Sequence, residues 1–253
     1  TGVQTCALPI FERRACSSVP AAGSSEASTP RADGPAKVTG AALYVDDLRP
    51  DGCWYGATVR ARAAHARVAN IRFAAGFDAT GIALVTAKDI PGENIVELMT
   101  ADQPALADGL VKHTAEAIAL VAADTRERAL EAARNVVFDE SPIEPLFDPE
   151  IARGHATRLF GDDNVFSHIV LRHGDADALF DAPPQGAVVV EGVYTTGLQE
   201  QLYIEPQGML AEPRTDGGLT ITGSMQCPFY IVDALKTVLG HDRFNVVQAA
   251  TGG

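Results

Sequence analysis

The polar side chains best suited to chemistry are concentrated in one octapeptide, Gln199 to Pro206 (QEQLYIEP). At the two-residue period of a strand, Gln199, Gln201, Tyr203 and Glu205 share one face, and Leu202 and Ile204 lie on the other. Such a strand is either a solvent-facing edge or the wall of a polar cleft, and periodicity alone favours the edge. A glutamine amide offers donors and an acceptor together, which suits recognition of a ligand rich in heteroatoms. Glu200 and Glu205 have the right type for a general acid/base pair but fall on opposite strand faces. The chain closes on Gly252 and Gly253, after a predicted strand. A glycine pair there opens a loop in which bare backbone comes close to something. The loop has no second half, so the chain reads as a piece of a larger protein.

Other candidates are weaker. His168, His173 and Asp175 suggest a metal site by type, but their spacing suits neither one helix face nor one strand face, so a loop pair is the preferred reading. His65 reads as a structural turn histidine, and the Asp46-Asp47 pair as a solvated turn. There is no GxSxG elbow, no Walker loop and no complete GxGxxG. None of Cys6, Cys16, Cys53 and Cys227 is spaced as CxxC, so neither zinc nor an iron–sulfur cluster can be held locally. Scattered thiols of this kind argue for a reduced, cytoplasmic protein. The formal net charge of -13 repels phosphate backbones and argues against nucleic-acid binding. No apolar run reaches the ~20 residues needed to span a bilayer, so no membrane association is expected, and Arg13-Arg14 precedes no signal-peptide core.

The elements that must position these residues fall into two groups. Residues 1–10 match the forward translation of a sequencing adapter and are excluded from the fold. The Ser-, Ala- and Pro-rich tract that follows reads as a disordered lead-in, so that 1–28 lie outside any domain. Strands are predicted over Trp54–Arg60, Val68–Phe73, Gly81–Ala87 and Ala117–Ala123, with a turn at Lys88–Gly92. Asp124 is the predicted N-cap of a helix running to about Asn135, with Glu127 completing a capping box and Ala129, Leu130 and Ala133 as its apolar stripe. Val136–Asp139 returns as a strand, giving a compact strand–helix–strand unit that closes near Pro145. A linker with short helices follows. Strands are then predicted at 188–194, Gln199–Pro206 and Leu219–Thr222. Pro228 opens a helix whose residues Phe229, Ile231, Val232, Leu235, Val238 and Leu239 share one face, and Gly240 closes it. Asn245–Ala250 is the strand leading to the glycine pair.

Several segments, in order, resemble the molybdenum-binding large subunit of the xanthine dehydrogenase/aldehyde oxidase family. Arg31 to Asp47 (RADGPAKVTGAALYVDD) looks like its opening, and Ala64-His65-Ala66 like its AHA. Thr86 to Asn94 (TAKDIPGEN) looks like TAxDIPGxN, Gln103 to Leu106 like QPxLA, and the stretch from Glu116 like GExVAxVxA. QEQLYIEP looks like QExxxLEP, Met225 to Tyr230 (MQCPFY) like xQxPF, and Thr251-Gly252-Gly253 like the start of GGGFGGK. Departures are Arg62-Ala63 in place of the usual Arg-Ser-Pro before Ala64, Ala115 in place of the glycine before Glu116, and Gln201 in place of histidine.

The resemblance implies an α/β (α+β) chain. An aldehyde oxidase/xanthine dehydrogenase α/β hammerhead domain would span 29–146, and a linker with the first part of a truncated molybdenum-cofactor-binding α+β domain would span 147–253. The implied cofactor is molybdenum-molybdopterin, in the simple or the cytosine dinucleotide form. The implied reaction hydroxylates an electron-poor carbon of an N-heterocycle such as a purine, or of an aldehyde, with water as the oxygen source. The 2Fe-2S and FAD centres would reside on an iron–sulfur subunit and an FAD subunit. By the resemblance, Gln199 hydrogen-bonds an oxo or pterin oxygen, and Gly252 and Gly253 let the cofactor approach bare backbone. Gln226 is structural. No catalytic base lies within the chain; it is expected beyond Gly253, so the chain alone is expected to be inactive. The alternatives are a non-catalytic scaffold or assembly relative of the same fold and, more remotely, an unrelated α/β binding protein.

Overall fold

A computed structural model describes residues 31–252 other than Met99, Gln201 and Pro206. The expectations for residues 1–28, for Cys6 and Cys16, and for Gly253 lie outside the described residues. In chain order the elements are α1 (Gly34–Val38), β1 (Tyr55–Arg60), β2 (Ala66–Phe73), β3 (Ala83–Thr86), β4 (Val96–Glu97), β5 (Ala101–Gln103), β6 (Leu110–Val111), β7 (Ala117–Ala123), α2 (Arg126–Arg134) and β8 (Val136–Pro142). They continue as α3 (Pro149–Ala152), α4 (Ala176–Asp181), β9 (Met209–Pro213), β10 (Leu219–Gly223), α5 (Pro228–Leu239) and β11 (Phe244–Gln248). Among the described residues no helix is long and apolar enough to cross a membrane.

The first group of strands forms two antiparallel sheets, in the orders β1-β7-β3 and β6-β2-β8, with a small β4-β5 ladder beside them. The wholly apolar β7 (AIALVAA) is the central strand of its sheet, which is why it shows no polar alternation. Its Ile118 and Val121, with Val111 of β6, are fully buried at the centre of the core. Burying each such side chain stabilises the fold by about 1.5–3 kcal/mol. Helix α2 packs on this core through Ala129 and Ala132, whose small side chains let it lie close to the strands.

Two local readings of α2 need correction. Its N-cap is Thr125, whose hydroxyl accepts the Arg128 N–H at 3.2 Å; Asp124 instead pairs with the Arg128 guanidinium at 2.8 Å. Leu130 is exposed, and Ala132 is buried in its place, because Ala129, Ala132 and Ala133 form the i, i+3, i+4 face that meets the core. The strand–helix–strand unit exists, yet α2 does not join neighbouring parallel strands. It carries the chain from the β1-β7-β3 sheet to the β6-β2-β8 sheet.

The second group does contain a parallel crossover. β10 pairs antiparallel with β9 on one side and parallel with β11 on the other, and α5 makes the connection. Pro228 stands in the first turn of α5, where its missing N–H costs nothing. Gly240 ends the helix at φ 70°, in the left-handed region that favours glycine, and its N–H reaches the Lys236 carbonyl at 2.9 Å. β9 was not anticipated, since its five residues end on Pro213 and show no clear alternation.

Residues 188–194 and the described part of Gln199–Pro206 are irregular rather than the expected strands. Strand backbone needs ladder partners, and these segments pair with no strand among the described residues. Leu202 also sits at φ 53°, far from extended geometry. Val188, Val190 and Val193 are correspondingly exposed.

Candidate functional site

Parallel pairing places Gly223, the last residue of β10, beside Gln248, the last of β11. Helix α5 starts five residues beyond Gly223, so its first turn shares this edge. The carboxyl ends of parallel strands beside a helix start form the usual ligand crevice of such sheets, because strand ends splay and helix N–H groups are unpaired there. The edge is held by specific bonds. Gln248 Nε2 donates to the Met225 carbonyl at 2.6 Å, and the Ala249 N–H donates to the Gly223 carbonyl at 2.8 Å. Ser224 and Met225 are buried, whereas Gln226 projects into solvent. The chain leaves β11 through Thr251 to Gly252 at the same edge.

Gly252 meets the polar octapeptide here. Its N–H donates to the Glu205 carboxylate Oε2, across 47 residues of sequence. A Cβ at position 252 would lie 2.8 Å from the Glu205 Cβ, so the approach requires glycine. Gln199 is exposed, six residues upstream of Glu205, and no hydrogen bond between described residues joins it to Gly252. Glu200 is exposed as well. Sequence reasoning missed the roles of Glu205 and Gln248. Glu205 carried one signal, its place in the same two-residue series as Gln199, but its partner is too distant in sequence for periodicity to find.

The groups on offer are the exposed Gln199 carboxamide and, apart from it, the glycine backbone at 252, whose N–H is already given to the Glu205 carboxylate. These groups suit the oxygens and nitrogens of a pterin-type group that brings its own metal ligand. Among the described residues no cluster of three or more His, Cys, Asp or Glu is placed to hold a metal ion directly. His168 and His173 lie in an exposed loop, as expected, and the Asp175 carboxylate accepts the Ala178 N–H at 3.1 Å as the cap of α4.

Most other motif residues are scaffold. The Asn94 side chain grips Leu106 at both ends, donating to its carbonyl at 2.7 Å and accepting its N–H at 3.1 Å. Buried Glu116 accepts the Lys112 N–H at 2.6 Å, and buried His65 contacts the Glu144 carbonyl through Nδ1 at 3.2 Å. Ala115 sits at φ 60°, a conformation that favours glycine. The Thr86 N–H and then its hydroxyl hold the Asp89 carboxyl below the usual carboxylate range. The Gly92 N–H donates to Val238 and the Glu93 N–H to Thr237, each at 2.9 Å, tying the first group of elements to the last turn of α5. A cavity of about 390 Å³ lined by Phe77, Asp78, Ile82 and Arg128 lies elsewhere, and Arg128 is already bonded to Asp124 and to the Thr80 carbonyl.

Comparison with known proteins agrees with this architecture. Residues 39–141 match the family described as "Aldehyde oxidase and xanthine dehydrogenase, a/b hammerhead domain", and residues 160–253 match the "Molybdopterin cofactor-binding domain". The chain belongs to the xanthine dehydrogenase/aldehyde oxidase family of molybdopterin-binding proteins. It is 34% identical over 227 residues to a Bacillus subtilis protein named as a probable subunit of xanthine dehydrogenase, covering 88% of this chain and 30% of that protein. It is 29% identical over 221 residues to the nicotinate dehydrogenase large molybdopterin subunit of Eubacterium barkeri, covering 86% of this chain and 51% of that one. The solved aldehyde oxidoreductase of Desulfovibrio desulfuricans superposes with a TM-score of 0.79 at 26% identity, covering 88% of this chain and 27% of that structure. The chain thus spans about a quarter to a half of the length of these relatives.

Proposed function

We propose that this chain belongs to the molybdenum-cofactor subunit of a hydroxylase, with residues 29–146 as the supporting domain and 147–253 contributing to the cofactor site. The observation that carries this reading is the glycine edge at Gly252, formed by residues that match a molybdopterin cofactor-binding domain. Gln199, Gly252 and Gly253 would hold the cofactor, the first by its carboxamide and the others by bare backbone. The cofactor, when bound, supplies the redox centre for hydroxylating a carbon with oxygen from water. The protein's own share is to orient that group and to keep the glycine turn open to it.

An N-heterocycle is the favoured substrate, because the relatives above are named for xanthine and nicotinate. An aldehyde is the second reading, supported by the aldehyde oxidoreductase fold match. Those relatives are named as subunits, which supports an assembly of several chains. The 2Fe-2S and FAD centres are assigned to separate iron–sulfur and FAD subunits, and the assembly to the cytoplasm, as part of the same proposal. The full-length protein, purified with its partners, is expected to hold about one molybdenum and one pterin per chain. It should reduce a dye on addition of xanthine or nicotinate. Protein free of both molybdenum and pterin would instead favour the scaffold alternative. Dye reduction with benzaldehyde alone would move the assignment to aldehydes. Extraction of the nucleotide from the holoprotein distinguishes the simple from the cytosine dinucleotide form.

A further inference from the structure

We infer that Glu205 is a positioning residue that sets the glycine turn before any cofactor arrives. The inference rests on the reading of the Gly252 edge as a cofactor site. The carboxylate accepts the Gly252 N–H, and the glycine packs so tightly on the Glu205 side chain that no Cβ fits between them. Both residues are half-buried, so the bond is partly shielded from water. A hydrogen bond from a backbone N–H to an ionised carboxylate is roughly twice as strong as a neutral one. Among the described residues no Lys or Arg pairs with Glu205, so its charge acts on the backbone N–H.

The consequence is geometric. A glycine turn left to itself samples a wide range of backbone angles, and ordering it on binding costs affinity. Glu205 removes that freedom at Gly252. It also ties the turn to the end of the polar octapeptide, at Glu205 itself. The first half of the edge is fixed independently by Gln248 on the Met225 carbonyl, which leaves Gly252 as the point that needs its own anchor.

Amide hydrogen exchange on the full-length protein tests this. In Glu205→Ala, the Gly252 amide is expected to exchange about tenfold to a hundredfold faster, while amides of β9 and β10 keep their wild-type rates. Pterin content per chain should fall about tenfold in parallel, since the turn must then be ordered at the cofactor's expense. Glu205→Gln keeps a neutral acceptor and should retain about half or more of the pterin content; it carries the test if the alanine variant is insoluble. An unchanged Gly252 exchange rate in both variants overturns the inference. So does faster exchange spread evenly over β9, β10 and β11, which would mark general loosening. A wild-type protein without pterin overturns the cofactor reading instead, and the exchange contrast still decides whether Glu205 holds the turn.

Discussion

Single residues show how family-type positions act through geometry rather than chemistry. Ala115 holds a left-handed conformation, and its carbonyl accepts the Arg60 guanidinium at 2.9 Å. An L-residue pays roughly 1–2 kcal/mol in that conformation and glycine does not. Ala115→Gly should therefore stabilise the protein by up to about 1 kcal/mol, after the extra unfolded-chain entropy of glycine is subtracted. Chemical denaturation would reveal it as a higher midpoint at unchanged slope, and a lower midpoint would contradict it. Asn94 works the other way. Its side chain satisfies both backbone groups of Leu106, which is itself buried. Asn94→Ala should cost about 2–3 kcal/mol, since two partly buried backbone groups lose their partners together. Asn94→Asp should be intermediate, because the carboxylate accepts the Leu106 N–H but cannot donate to its carbonyl.

At the scale of elements, the turn after β3 and the end of α5 form one unit. The last turn of a helix leaves carbonyls without intrahelical donors, and here the Gly92 and Glu93 N–H groups satisfy those of Val238 and Thr237. A Cβ on residue 92 would lie 2.1 Å from the Thr237 carbonyl oxygen. Gly92→Ala must therefore push the turn off the helix. The expected result is faster amide exchange at Gly92, Glu93 and through β11, with β7 exchange unchanged. Unaltered exchange in β11 would show that α5 is anchored by other contacts. The turn also has an acid limb. Asp89, its carboxyl depressed by the Thr86 donors, stabilises the folded state above about pH 4, the unfolded carboxylate range, and this contribution is lost as pH falls through its lower folded value. Asp89→Asn should flatten stability over that acid window and leave the profile above pH 5 unchanged.

Across the whole molecule, order is uneven. The core centred on Ile118, Val111 and Val121 lies in the first group of sheets, whereas 188–200 runs exposed with no strand partner among the described residues. Limited proteolysis of this chain should cut first between Ala182 and Tyr203 and leave a resistant piece carrying β1 to β8. First cleavage within β7 or α2 would invert that order of stability. The net charge of -13 over the whole chain should keep the protein from binding nucleic acid at physiological salt.

Much of this was legible along the chain. The limits of β7, the Pro228 start and Gly240 stop of α5, the turn at Lys88–Gly92 and the structural roles of His65 and the Asp46-Asp47 turn follow from signals that act over a few residues: apolar runs, cap chemistry and glycine conformation. The ordered motifs were likewise enough to mark the family. Only the tertiary structure decided that β7 and β8 belong to different sheets, that Leu130 faces water, that Gly92 closes α5, and that Glu205 meets Gly252. Each of those depends on which distant backbone or side chain arrives as a partner. Hydrogen bonds and steric contacts of that kind reach only a few ångströms in space, so their partners are fixed by the folded path and leave no period in the sequence.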